Sequence, residues 1–125
     1  MKCLLDSHAL LWAVADSPRL SSRARDLILD AENDVPVSAA SYYELIFKAR
    51  RGRLGAAALG LPEDVAKSNF DELDISKAHL LAAAAFNWSH GDPWDRIIAA
   101  QAMIEDCVLV SADEIFDDIG LQRTW

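Results

Sequence analysis

Residues Cys107-Val108-Leu109-Val110 form an apolar run with no polar alternate, bounded by Asp106 and Ser111. A strand apolar on both faces belongs in the middle of a parallel sheet with helices over both sides. Parallel neighbours need crossovers of roughly a dozen residues or more, so this run commits the chain to alternating short strands and helices. The remaining sequence supplies them. Lys2 to Leu5 is a second short apolar run that stops at Asp6-Ser7, and Ser7 is expected to cap a helix through His8-Ala9-Leu10-Leu11-Trp12-Ala13-Val14. Ser21-Ser22 opens a helix to about Asp30, Val35 to Val37 reads as a strand, and a helix runs from Ser41 to Arg53. Ala56 to Leu61 is a small-residue connection, and Pro62 begins a short helix to about Asn69. Phe70 to Ile75 reads as a third strand, Ser76 opens a helix to Asn87, and Pro93 begins a strongly apolar helix to about Glu105. A short helix near Glu114 to Ile119 and an edge strand from Leu121 to Thr124 complete the expectation. The fold class is α/β, a single domain over residues 1–125 with a parallel sheet, right-handed crossovers and helices on both faces.

No run approaches the ~18 apolar residues that span a bilayer, and a charge at Asp6 interrupts the first apolar stretch too early for a signal peptide. The expected location is therefore cytoplasmic, with no membrane partner. Cys3 and Cys107 lie in strand-like apolar surroundings and are expected to be buried hydrophobes rather than a disulfide or a zinc site. The net charge of −8 opposes long-range attraction to nucleic acid.

In a parallel α/β sheet, ligands collect at the carboxyl ends of the strands. Asp6 follows the first strand, the Ser38 to Glu44 segment follows the second, and Ser111-Ala112-Asp113 follows the apolar strand. Each acid also has a plainer reading. Asp6 and Asp113 can start helices, Ser41-Tyr42-Tyr43-Glu44 matches a capping box, and Asp92-Pro93-Trp94-Asp95 is an N-cap, a proline and an acid at N3. Glu44 and Lys48 can be an ordinary i, i+4 pair. Jointly, three or four carboxylates at one end of a sheet repel one another unless a cation or a basic partner neutralises them. Hard oxygen ligands select Mg²⁺ or Mn²⁺, and such ions support hydrolysis of phosphodiesters.

Four blocks in this order resemble the PIN-domain ribonucleases, in particular VapC-type toxins of toxin–antitoxin modules. They are Met1 to Trp12, Val37-Ser38-Ala39-Ala40-Ser41-Tyr42-Tyr43-Glu44, His90-Gly91-Asp92-Pro93-Trp94-Asp95-Arg96-Ile97-Ile98-Ala99-Ala100-Gln101-Ala102, and Leu109-Val110-Ser111-Ala112-Asp113. The resemblance implies a Rossmann-like PIN sheet and a Mg²⁺- or Mn²⁺-dependent endoribonuclease that cuts RNA. It also implies inhibition by a cognate antitoxin, and a homodimer. It marks Asp6, Glu44, Asp95 and the more variable Asp113 as catalytic, with Asp6, Glu44, Asp95 and the accessory Asp92 toward metal. Ser7 stands where threonine is more usual, and Tyr42-Tyr43 and Trp94 are aromatic variants that leave every carboxylate in place.

Bound cations would reverse the sign of the field that a phosphate meets at such a site. Lys48, Arg50, Arg51 and Arg53 follow Glu44, and Arg96 follows Asp95; Lys48, Arg51 and Arg96 are the foremost substrate-binding candidates, against the plainer reading of a solvated helix C-terminus. Tyr42, Tyr43 and Trp94 are placed in the core before they are placed against bases. His8, His79 and His90 offer no matched partner for metal or triad work. Leu10, Leu11 and Trp12 are expected to offer apolar surface to an antitoxin helix. The competing readings are a non-catalytic PIN-like module that binds RNA or a partner, and a metal-dependent phosphatase. The second lacks the usual second Asp two positions after Asp6, where His8 stands.

Overall fold

The computed structural model describes residues 1–125. Five short parallel strands, β1 (Cys3–Leu5), β2 (Pro36–Ser38), β3 (Asp71–Leu73), β4 (Val108–Val110) and β5 (Arg123–Thr124), form one sheet in the order β3-β2-β1-β4-β5. The two most apolar runs of the sequence lie side by side at its centre, with Cys3, Leu4 and Leu5 in register with Val108, Leu109 and Val110. The expected edge strand is β5. Six helices connect the strands: α1 (Ser7–Val14), α2 (Ser22–Leu29), α3 (Ala39–Arg50), α4 (Leu61–Ala66), α5 (Lys77–Ala85) and α6 (Pro93–Ile104). Two 3₁₀ segments, Ala57–Gly60 and Glu114–Ile119, complete the chain.

Alternation along the strands sorts their side chains to two cores. Cys3, Leu5, Val37 and Val110 pack with Leu10, Leu45 and Leu61 under α1 to α4. Leu4 and Leu109 face the other way, against Ile98 and Ala99 of α6 and Phe116 of the second 3₁₀ segment. Leu10 and Leu11 belong to the first core, so they do not form the exposed apolar face expected of the first helix, while Trp12 stays half-buried against Trp125. Both cysteines are buried and free, as expected.

The strand order reverses at β1, which pairs with β2 on one side and β4 on the other, opening a crevice above its carboxyl end. Three caps build the crevice. Asp6, extended at φ −72° and ψ 173°, ends β1 and caps α1 by accepting from the Ala9 N–H at 2.7 Å. Ser7, the expected cap, is therefore the first helical residue and its hydroxyl is free to point elsewhere. Ser38 ends β2 and caps α3, so Ser41 and Glu44 lie inside that helix and the capping-box reading of that pair fails. Asp92 caps α6, accepting from the N–H groups of Trp94 (2.9 Å) and Asp95 (3.1 Å).

Candidate active site

Asp6 and Glu44 are buried polar residues at the carboxyl edge, 7% and 5% exposed, and each is held by a serine. Ser111, directly after β4, donates its hydroxyl to Asp6 Oδ2. Ser7 donates to Glu44 Oε1 at 2.6 Å, and Ser41 lies 3.2 Å from the Ser7 oxygen. Lys48 Nζ reaches Glu44 Oε2 at 2.5 Å, one turn further along α3. Asp95, half-buried in the first turn of α6, accepts from His90 Nε2 at 2.6 Å. Below them a buried Gln101 accepts from Ser38 at 2.6 Å and donates to the Asp74 carbonyl at 3.3 Å, fixing α6 against the ends of β2 and β3.

These carboxyl groups share one field. Burial pushes Asp6 from 3.8 up to about 6, against the opposing pull of the Ser111 and Ala9 hydrogen bonds and the charge of His8, with Asp95 adding repulsion. Asp95 is also raised, first by burial and then by the charges of Asp92 and Glu44, while its His90 bond works the other way. Asp6, Glu44 and Asp92 are thus all within charge range of Asp95. Asp113 stands apart: it is exposed, its Oδ1 caps the 3₁₀ segment through the Ile115 N–H at 3.1 Å, and its link to Asp6 runs only through Ser111, which accepts from the Asp113 N–H at 3.0 Å.

Of the three expected substrate cations, Lys48 and Arg96 bond within the molecule and the exposed Arg51 rests on an aromatic ring. Lys48 neutralises Glu44, and the Arg51 guanidinium lies 4.6 Å over the Phe47 ring. Arg96 uses four of the five N–H donors of its guanidinium. Nε donates to the Ala83 carbonyl (3.0 Å), one terminal nitrogen to Trp88 and His90 (both 2.9 Å) and the other to Phe86 (2.7 Å). The fork expected to hold a phosphate instead holds the loop between α5 and α6. That loop carries His90, which meets Asp95 although it is not among the expected site residues. Ser7, Ser111 and Gln101 carry no sequence signal of their roles: a serine after a strand end is a common cap, and only the sheet register shows that it faces an acid 37 residues away for Ser7 and 105 for Ser111. Tyr43 and Trp94 stand on the surface beside the site with ring centroids 5.1 Å apart, and Tyr42 donates to Glu72 at 2.6 Å.

No three His, Cys, Asp or Glu side chains converge as a coordination group, and Asp6 and Glu44 are each bonded to a serine, Glu44 to Lys48 as well. The donor set nevertheless fits a hard divalent ion. An ionised carboxylate offers about four lone-pair directions, and none of these acids uses more than two in the bonds described. Two of the acids are held above their usual range, chiefly by burial and then by neighbouring carboxylates, both of which a bound cation would offset.

A parallel α/β domain with buried carboxyl groups at its switch point defines a class of acid-lined α/β proteins. The PIN domain model matches residues 3–121, and the chain belongs to that family. It is 34% identical over 113 residues to Ribonuclease VapC22 of Mycobacterium tuberculosis, covering 88% of this chain and 85% of that protein. The fold matches VapBC2 from Rickettsia felis, crystallised with a promoter DNA fragment, at a TM-score of 0.76 and 20% identity over 99% of this chain and 98% of that one. It also matches VapC20 of Mycobacterium tuberculosis, a Sarcin-Ricin loop cleaving toxin, at a TM-score of 0.71 and 14% identity over 95% of each chain.

Proposed function

We propose that this protein is a Mg²⁺- or Mn²⁺-dependent endoribonuclease, the toxin of a toxin–antitoxin pair. The observation that carries this reading is the set of carboxyl groups at the switch point: the buried Asp6 and Glu44 beside the half-buried Asp95 and Asp92. The name of its 34% identical relative, a ribonuclease, supports the same reaction class. Asp6, Glu44 and Asp95 would hold the ion, with Asp92 contributing its second oxygen. The ion would supply Lewis-acid charge to a phosphodiester in the field of these acids. The chain's own groups do the rest. Ser111 and the Ala9 N–H fix the Asp6 carboxyl, Ser7 fixes Glu44, and His90 fixes Asp95, so the acids present their remaining lone pairs in one orientation. Asp113, at the rim, is an accessory acid in this reading.

An antitoxin would inhibit by placing an Arg or Lys among these carboxylates, where bidentate or charge-assisted bonds compete with the ion. Lys48 already makes such a bond from inside the chain. A homodimer and a cytoplasmic location complete the proposal; no helix is long and apolar enough to cross a membrane. The test is cleavage of a mixed single-stranded RNA by purified protein with Mn²⁺, with EDTA, and with Asp6→Asn, Glu44→Gln and Asp95→Asn. Cleavage abolished in EDTA and in all three variants is expected. Undiminished cleavage in EDTA would overturn the metal role, and folded, RNA-binding variants of a parent that never cuts would favour a non-catalytic binding module.

A further inference from the structure

An acidic protein that cuts RNA must hold phosphates somewhere, and the cations nearest the carboxylates are engaged in their own structure. A groove of about 570 Å³ runs between the outer side of α1 and the segment after α3. His8, Leu11 and Trp12 line it from α1, with Arg19 beyond and Arg53 and Leu54 opposite. No Asp or Glu is among its lining residues, on a chain with 20 acids and 12 Lys plus Arg. Arg19 and Arg53 are both exposed, and neither guanidinium takes part in a salt bridge or a hydrogen bond, unlike Arg25, Lys48, Arg96 and Arg123. His8 is exposed, stacks on Trp12 with ring centroids 5.8 Å apart, and is the second residue of α1, the helix that Asp6 caps at the carboxyl edge. The groove therefore leads to the carboxyl edge, and its charge is opposite to that of the protein as a whole.

Resting on the ribonuclease reading, we infer that this groove is the track for the substrate strand, with Arg19 and Arg53 binding phosphates of single-stranded RNA on the approach to Asp6. Two freely extended guanidiniums suit a polyanion, because each can face a phosphate oxygen pair with its fork. Single-stranded RNA suits a groove with cations along its wall, since its backbone can follow a surface that a duplex would bridge.

The test uses the full chain carrying Glu44→Gln, so that RNA is bound and not cut, and a fluorescein-labelled single-stranded RNA followed by anisotropy from 50 to 300 mM salt. Each cation withdrawn from a phosphate lowers the slope of log K against log salt by about 0.7 for single strands, so Arg19→Ala with Arg53→Ala should lower it by about 1.4 and weaken binding by about tenfold or more at low salt. Arg19→Lys with Arg53→Lys should retain most of the slope, because the slope counts charges, and Lys67→Ala, a cation removed elsewhere on the surface, should leave it unchanged. In the cleaving parent background the double alanine variant should raise KM while kcat at saturating RNA stays within about twofold. A double alanine variant with the parent's slope and KM overturns the groove and leaves the ribonuclease reading standing. If the parent binds no RNA at any salt, both fall. If RNA binding is unchanged but poly-L-glutamate binds the parent and not the double variant, the groove takes an acidic protein segment and the proposal is overturned.

Discussion

Both ends of the sheet are acidic, yet they differ in kind. At the amino edge, Asp34, Asp71 and Glu105 border a shallow hollow of about 250 Å³ with Lys2. Asp34 and Asp71 are exposed, so water screens them and their repulsion is weak. At the carboxyl edge, Asp6 and Glu44 are almost fully withdrawn from water, and the serines that hold them are placed there by another strand or helix. A count of carboxylates therefore does not define a site. What defines it is acid that the fold has desolvated and aimed, at the point where strand order reverses.

The comparison breaks most sharply in catalysis. Asp6→Asn or Glu44→Gln should lower RNA cleavage on the order of 10²- to 10³-fold or more, as for loss of a group that stabilises transition-state charge. Asp34→Asn and Asp71→Asn should stay within about twofold, as surface changes do. A comparable loss from the amino edge in a cleavage time course would show that acidity alone was being read.

Next comes the loop that carries His90. Arg96→Met removes four hydrogen bonds to backbone carbonyls and should lower unfolding free energy by about 2–4 kcal/mol in urea titration. Arg96→Lys should recover little of it, since an ammonium cannot reproduce the planar fork. Recovery with Lys would mean that charge rather than geometry holds the loop.

The pH dependence is somewhat smaller and has a definite sign. Because folding raises Asp6 from 3.8 to about 6, its contribution to stability is fully present below about pH 4 and is lost as pH rises through about 6. Relative to parent, metal-free Asp6→Asn should therefore gain stability on going from pH 4 to pH 7.5, on the order of 2–3 kcal/mol, in paired thermal melts. A gap that does not widen with pH would remove the case for a desolvated Asp6. Smallest of all, Asp92→Asn and Asp113→Asn keep a capping side chain, so each should change stability by less than about 0.5 kcal/mol. Their cleavage should fall less than that of the three inner acids.

The sequence carried the architecture well because strand burial and helix periodicity are local signals. The apolar run at Cys107 to Val110 does lie at the centre of the sheet, and the order of elements follows the expected order. Ends were less legible: α3 begins at Ala39 rather than Ser41 because Ser38, inside the strand pattern, is its cap. The acids were legible because Asp6 ends a strand, Glu44 lies in the helix after one, and Asp92 and Asp95 open a helix whose start a proline marks. Their companions were not, since Ser7 with Glu44 and Ser111 with Asp6 meet only through register and crossover. The basic residues were least legible. Proximity in sequence to Glu44 and Asp95 pointed to Lys48 and Arg96, which bond within the molecule, and to Arg51, which lies over Phe47, whereas the guanidiniums of Arg19 and Arg53 come together only in three dimensions.

Helix α5 ends at Ala85 without a glycine to turn its last residues, and Phe86 leaves the helix in an extended conformation, at φ −55° and ψ 127°. Its unsatisfied terminal carbonyls are met by Arg96, from the first turn of the next helix. The end of one helix and the start of the other are thus closed by a single side chain, and neither can fray without the other. In hydrogen exchange, the last turn of α5, the loop from Phe86 to His90 and the first turn of α6 should open as one cooperative unit, with a single opening free energy across amides that in ordinary loops exchange independently.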